Sequence, residues 1–213
     1  MSVWVVVVAA GTGVRFGAPK QLAPLGEQRV VDHAVAAARA AGDGVILVTP
    51  PDAAWTVPGV TTVPGGATRS ASVRAGLAAI PPEAEIVVVH DAARPLADRE
   101  LFDRVIEAVR AGADGAVPGV PVADTIKRVD GAAMVVATMP RDELVAVQTP
   151  QAFRAAVLRA AHAGEPEGTD DAAVVEAAGG RVVVVPGAED NFKITELRDL
   201  ERAAAVLAER MAT

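Results

Sequence analysis

The sequence predicts an α/β protein, a doubly wound and mostly parallel sheet from which one β-hairpin projects. Short runs rich in Val and Ile alternate with Ala-rich segments of helical period. Apolar runs without polar alternation suit strands buried on both faces, as in parallel sheets, and strand–helix alternation implies right-handed crossovers. One stretch, centred on Asp130-Gly131, breaks that alternation and reads as two short strands around a tight turn.

Taken in order, the all-apolar run after Ser2 predicts a strand over 3–9. A helix over 30–41 follows, with Gly42 where a left-handed C-terminal cap is expected. Val45 opens a second strand over 45–49, and Thr68 a helix over 68–80. A strand over 85–90 leads to a helix over 98–111, for which Asp98 is the expected N-cap. The next strand covers 115–118. The hairpin then pairs 124–129 with 132–138; Asp-Gly suits its turn because both central residues need positive φ. An arm of this kind either folds back on its own sheet or packs on a second subunit, since bare edges and apolar side chains need cover. Helices over 151–163, 170–178 and 196–211 and a strand over 181–185 complete the chain, with Thr169 and Thr195 as expected N-caps.

With 213 residues, 51% of them hydrophobic, and no fixed-period repeat or linker, one domain over 1–213 is expected. The chain has no cysteine, so disulfides and thiolate metal sites are excluded, and a reducing compartment is compatible. The apolar run after Ser2 is short and lacks a basic flank, so neither a signal peptide nor a membrane span is expected, and the location is read as cytoplasmic. A net charge of −7 argues against a protein that coats nucleic acid. Cations that bind an anion must therefore be concentrated locally. The chain has 17 arginines but only three lysines, at 20, 127 and 193.

Ligands of open α/β sheets bind beyond the carboxyl ends of the strands. Three polar or Gly-rich segments fall at that expected edge. The first, Ala9-Ala10-Gly11-Thr12-Gly13-Val14-Arg15, continues to Pro19-Lys20-Gln21. Phe16 stands where a dinucleotide fingerprint needs a third small residue, and Lys20 lacks the Gly-Lys-Ser/Thr context of a Walker loop. What remains is a glycine turn carrying two cations, Arg15 and Lys20, fit to cradle phosphate and neutralise charge at phosphorus. An ordinary β–α turn with two solvated cations accounts for that loop equally well. In the second segment Gly65 and Gly66 precede a helix start with Thr68, Arg69, Ser70 and Ser72, whose small hydroxyls serve anion or base recognition or simply cap the helix. In the third, Asp91 and Arg94 either form an internal ion pair that fixes the loop, or Asp91 bonds sugar hydroxyls or a hydrated metal while Arg94 holds part of the substrate. His90 belongs to its strand and reads as a packed histidine rather than a general base.

In this order the motifs resemble the 2-C-methyl-D-erythritol 4-phosphate cytidylyltransferase family, CTP-using enzymes of the non-mevalonate isoprenoid pathway. The resemblance rests on Ala9-Ala10-Gly11-x-Gly13-x-Arg15 with Pro19-Lys20-Gln21, on Gly65-Gly66-x-x-Arg69-x-x-Ser72-Val73 and on His90-Asp91-Ala92-Ala93-Arg94-Pro95. It continues through Asp124-Thr125-Ile126-Lys127, Pro140-Arg141, Gln148-Thr149-Pro150-Gln151, Thr169-Asp170-Asp171-Ala172 and Asn191-Phe192-Lys193-Ile194-Thr195. The implied fold is a Rossmann-like mixed sheet with a β-arm, here about 122–146, that interlocks a homodimer.

The resemblance implies that Ala9, Ala10, Gly11, Gly13, Gly65, Gly66, Ser72, Asp91 and Ala92 hold cytidine and triphosphate. It gives Arg15 and Lys20 the role of stabilising the pentacoordinate α-phosphorus. Asp91, Arg94, Thr169 and Lys193 are the implied contacts to methylerythritol phosphate, with Thr125, Arg141 and Thr149 on or near the arm. Of these, Thr125 and Arg141 would reach the neighbouring subunit's substrate, and Arg141 and Lys193 count with the catalytic cations. The sequence departs from the family in a shorter Arg15-to-Lys20 loop and in Leu22, where an aromatic is common. Because the motifs fill the chain, the cyclodiphosphate synthase domain fused in some relatives is not expected.

The implied reaction is attack by a phosphate monoester oxygen on the α-phosphorus of CTP, releasing pyrophosphate. A phosphate with a second pKa of about 6 is already ionised at neutral pH and needs no general base. Mg²⁺, held mainly through the CTP phosphates rather than by a protein ligand set, is the implied cofactor. A ribitol 5-phosphate cytidylyltransferase shares much of the pattern, and a nucleotide-binding regulator without turnover is the alternative from another class.

Overall fold

A computed structural model describes residues 1–11, 16 and 19–212. From the N-terminus the elements are β1 (Val3–Val8), β2 (Pro24–Leu25), β3 (Gln28–Arg29), α1 (Val30–Ala41), β4 (Gly44–Thr49) and β5 (Thr61–Pro64). Then come α2 (Arg69–Ala79), β6 (Ile86–Asp91), α3 (Arg99–Arg110) and β7 (Gly115–Pro121). The arm is built from β8 (Lys127–Val129) and β9 (Val135–Thr138) and returns to the sheet as β10 (Val145–Val147) and β11 (Gln151–Arg154). The chain closes with α4 (Ala155–His162), α5 (Asp171–Ala177), β12 (Val182–Pro186) and α6 (Leu197–Ala212).

Eight strands form one mixed sheet. β5, β4, β1 and β6 are parallel neighbours; β11 inserts antiparallel between β6 and β7; β12 pairs parallel with β7 on its outer side. The mostly parallel, doubly wound arrangement expected from the sequence is therefore present. Its cause is visible in β1, where Val5, Val6 and Val7 are all fully buried. Val5 and Val7 pack with Val31, Val35 and Phe102 beneath α1 and α3, whereas Val6 packs with Val73, Leu77 and Leu158 beneath α2 and α4. Each such side chain contributes about 1.5–3 kcal/mol of burial. A smaller cluster of Leu25, Val30, Leu96, Ile194 and Ala203 fastens α6 beside β2. No helix among the described residues is long and apolar enough to cross a membrane.

Several expectations need correction. Residues 151–154 are the strand β11, not the start of a helix, because Ala152 and Phe153 fill the slot between β6 and β7 and are fully buried. β5 and β10 received no bounds from the sequence; with four and three residues, each is too short to give a periodic signal. Gly42 is extended, with φ −121°, rather than left-handed. Its hydrogen side faces Val5, where a Cβ would meet Cγ2 at 2.9 Å, so a close approach explains the glycine. The α5 cap is Asp170, not Thr169: its carboxylate accepts from Ala173 N at 2.9 Å. At α6 the capping runs the other way, since the Asp199 carboxylate accepts from Thr195 N, Thr195 Oγ1 and Glu196 N. The arm's turn is wider than a two-residue Asp-Gly turn. Its positive φ (61°) falls at Ala133, and Asp130 Oδ1 accepts from Ala132 N and Met134 N.

β8 and β9 pair only with each other, apart from the main sheet. Val129, Met134, Val135 and Val136 on this arm are 51–65% exposed. The arm does not fold back to join its own sheet.

Candidate active site

Because β1, β4, β5 and β6 are parallel, their carboxyl ends lie at one edge, and the loops that follow are pinned there by the last strand carbonyls. Ala9 N donates to Val48 O at 2.8 Å, Gly65 N to Thr49 O at 2.7 Å and Ala92 N to Val8 O at 3.0 Å. Glycine is required where the first two loops touch: a Cβ on Gly65 would lie 2.6 Å from Ala10 Cβ and 2.8 Å from Ser72 Oγ. Between the loops lies a cavity of about 340 Å³. Its wall takes Ala9, Ala10, Gly11, Lys20 and Gln21 from the first loop, and Gly66, Ala67, Thr68, Arg69 and Ser72 from the second. Asp91, Ala92, Ala93 and Lys193 complete it.

Thr68 caps α2 by accepting from Ala71 N, which points the helix N-terminus and its free backbone N–H groups at the cavity. Ser72 Oγ accepts from Gly66 N at 3.2 Å and donates to Thr68 O, which sets the shape of the second loop. Lys20 Nζ donates to Ile194 O at 2.7 Å, so its ammonium comes to rest beside Lys193, a residue from the far end of the chain. Lys193 Nζ in turn donates to Asp91 Oδ2 at 2.6 Å.

Asp91 sits at the centre of the charges. Burial alone would favour its neutral form, but Arg69, Lys193 and Arg94 hold the carboxyl well below the usual carboxylate range. Its partners are Arg69, at 3.2 Å from Oδ1, and Lys193; the internal pair considered from sequence, Asp91 with Arg94, is not formed. Arg94 instead donates to Asn191 O at 2.6 Å and reaches Val147 O. Behind Asp91, Thr149 Oγ1 accepts from Asp91 N at 3.0 Å and contacts His90 Nδ1 at 3.2 Å. His90 Nε2 lies 3.1 Å from Arg94 O, which assigns the proton to Nε2 and leaves Nδ1 to accept from Thr149. Desolvation pushes the His90 imidazolium down to about 4, against the pull of Asp91. His90 is thus a packed, satisfied histidine, as the sequence suggested.

The sequence-derived site residues divide into groups. Ala9, Ala10, Gly11, Gly66, Ser72, Asp91, Ala92, Lys20 and Lys193 meet at the cavity, with Gly65 just behind the wall. Arg15 and Gly13 lie outside the described residues. Arg94 and Thr149 support the cavity floor rather than line it. Thr169 is exposed ahead of α5, and Thr125 and Arg141 are exposed on the arm, where Arg141 Nη1 donates to Ala123 O at 3.0 Å. Sequence reasoning missed the part played by Arg69 and Asp171. Both stood inside recognised motifs, but nothing in the order of residues shows that they pair.

Among the described residues no three His, Asp or Glu side chains gather as a metal-binding group, and the cavity's one carboxylate is already shared by Arg69 and Lys193. That donor set suits a hard cation carried in on phosphate oxygens and water.

The sequence profile of the 2-C-methyl-D-erythritol 4-phosphate cytidylyltransferase family matches residues 3–209. The chain is 50% identical to the enzyme of that name from Streptomyces coelicolor, across 96% of this chain and 84% of the relative. With the enzyme of that name from Nocardia farcinica it shares 45% identity, over 99% and 96% of the two chains. Among solved structures, the 2-C-methyl-D-erythritol 4-phosphate cytidylyltransferase of Thermus thermophilus superposes with a TM-score of 0.84 at 38% identity, covering 98% of this chain and all of the other.

Proposed function

The chain belongs to the 2-C-methyl-D-erythritol 4-phosphate cytidylyltransferase family, and from that membership we propose how its residues carry out the reaction. The chain transfers CMP from CTP to 2-C-methyl-D-erythritol 4-phosphate and releases pyrophosphate, a step in making isoprenoid precursors. The observation that carries the residue assignment is the meeting of Lys20 and Lys193 at one cavity wall, joined through Ile194. In a chain of net charge −7, two of its three lysines are spent on that wall.

Ala9, Ala10, Gly11, Gly65 and Ser72 seat the nucleotide; their small side chains leave the backbone open to a pyrimidine and little room for a purine. Lys20, with Arg15, neutralises charge that grows on the α-phosphorus as the fifth oxygen bonds. Lys193 holds the acceptor phosphate in line for attack and the Asp91 carboxylate accepts from the acceptor's hydroxyls, with Arg94 bracing the floor, Thr149 fixing Asp91 and Thr169 at the rim. No side chain need remove a proton, because the attacking phosphate is already a dianion and His90 is buried and engaged. Magnesium, bound through the triphosphate, would offset charge on the leaving pyrophosphate. The exposed apolar arm packs on a second copy, placing Thr125 and Arg141 against the neighbour's acceptor, and the protein works as a cytoplasmic homodimer. Pyrophosphate assay tests the reading: release from CTP should begin only when the sugar-alcohol phosphate is added. CTP binding without release on that addition would instead favour a regulator.

A further inference from the structure

Lys193 reaches the cavity from residues 187–196, a stretch between β12 and α6 that belongs to no helix or strand. No ladder or helix bonds fix the chain there, so individual contacts must hold it. One anchor is Ile194, fully buried, whose N donates to Ala93 O at 2.8 Å. The other is Asn191, also fully buried. Its Nδ2 donates to Thr149 O at 2.9 Å and to Gln148 Oε1 at 3.2 Å, while its backbone O accepts from Arg94 Nη1. Because Thr149 O can only accept, the amide nitrogen must face it. Thr149 leads back to the cavity: its Oγ1 accepts from Asp91 N at 3.0 Å, and Asp91 Oδ2 accepts from Lys193 Nζ at 2.6 Å. The contacts close a ring, from Asn191 to Thr149 to Asp91 to Lys193 and back through Phe192. Of its members only Asp91 and Lys193 line the cavity.

An amide is a costly way to fill that space. Asn191 Oδ1 is buried and accepts no hydrogen bond among the described residues, a loss that an apolar side chain of similar shape avoids. Such a departure from economical packing is expected where position serves a site. We propose that Asn191 is a positioning residue for Lys193: its amide ties the chain that carries Lys193 to Thr149, which holds the Asp91 backbone, and so fixes the Lys193 ammonium at the cavity wall. A cation that must meet a phosphate in line for attack needs its support held this closely, because small displacements of a positioning group are expensive. The consequence for the acceptor rests on the role given to Lys193 above.

Two readouts keep the seat of Lys193 and its role apart. Selective ¹³C labelling of the three lysine side chains gives a Lys193 signal that reports its bond to Asp91 with no substrate present. Asn191→Leu keeps the branched shape and removes the donor. In that variant the Lys193 signal should move to the position of a solvated lysine, while the Lys20 signal stays, because Ile194 keeps its own anchor. KM for the acceptor should rise about tenfold or more, with KM for CTP changed little. Asn191→Ala also lacks the donor, should do the same, and serves if the leucine variant does not fold. Leu158→Ala, a cavity-forming change in the core beneath α4, should lower the urea midpoint and move neither readout, which separates positioning from loss of stability. An unmoved Lys193 signal in the folded Asn191 variants, or an equal shift in Leu158→Ala, overturns the proposal. Release of Lys193 with an unchanged acceptor KM upholds the positioning role and overturns the assignment of Lys193 to the acceptor.

Discussion

Lys20 and Lys193 come from opposite ends of the chain, yet both line one cavity, where Lys20 Nζ donates to Ile194 O and Lys193 Nζ to Asp91. A cation that acts on charge developing at phosphorus should matter more to turnover than to binding. Lys20→Ala should therefore lower kcat by ~10² to 10³ with a smaller change in KM for CTP, the size expected for loss of one preorganised donor. Steady-state kinetics with varied CTP checks this; a near-normal kcat removes Lys20 from the chemistry. His90 makes a separate claim. Its folded value of about 4 lies below the ordinary 6.5, so between those limits the unfolded chain binds more protons. Stability from this residue is thus fully present above pH 6.5 and declines as pH falls towards 4, by about 3 kcal/mol over the whole window. Asp91, also shifted downward, loses its contribution only as pH falls below the ordinary 3.8 and so does not interfere between pH 7 and 5. Urea midpoints over that range should fall less steeply for His90→Asn than for the parent; parallel slopes would show that His90 already titrates normally.

The arm is the element whose role reaches beyond its own fold. Four of its apolar side chains are more than half exposed, and Arg141 sits at its base away from the cavity of its own chain. If a second copy covers the arm and receives Arg141, two inactive variants should complement. In a hybrid of Arg141→Ala and Lys20→Ala subunits, one site keeps its own Lys20 and gains the partner's intact arm, while the other site lacks both. Random mixing makes about half the dimers hybrid, so roughly a quarter of wild-type activity should return on coexpression. Confirmed subunit exchange without recovery would place Arg141 in the service of its own chain. Elements like this one were legible to different degrees. The strands buried on both faces, such as β1 and β6, declared themselves by unbroken apolar runs, and Asp98 by its place ahead of α3. β11 did not, because Gln151-Ala152-Phe153 acquires its strand geometry only from neighbours distant in sequence. Turn details failed for the same kind of reason: the Asp130 side chain bonds two backbone N–H groups and moves the positive φ to Ala133.

At the scale of the molecule, parallel strands gather three loops at one edge, and those loops were readable because glycines and charges interrupt an otherwise apolar sequence. The charge network beneath them was not. Arg69 meets Asp171 across the sheet edge, and a residue order carries no sign of a contact made between α2 and α5. In the proposed reaction this one cavity joins a cytidine nucleotide to a branched sugar-alcohol phosphate through cations rather than a base. The most direct test measures kcat/KM for pyrophosphate release from CTP with 2-C-methyl-D-erythritol 4-phosphate and with ribitol 5-phosphate in parallel, identifying each product by mass. A clear preference for the first acceptor, with its cytidine diphosphate ester as product, is expected; equal or greater efficiency with ribitol 5-phosphate, or no release with either, would contradict that assignment.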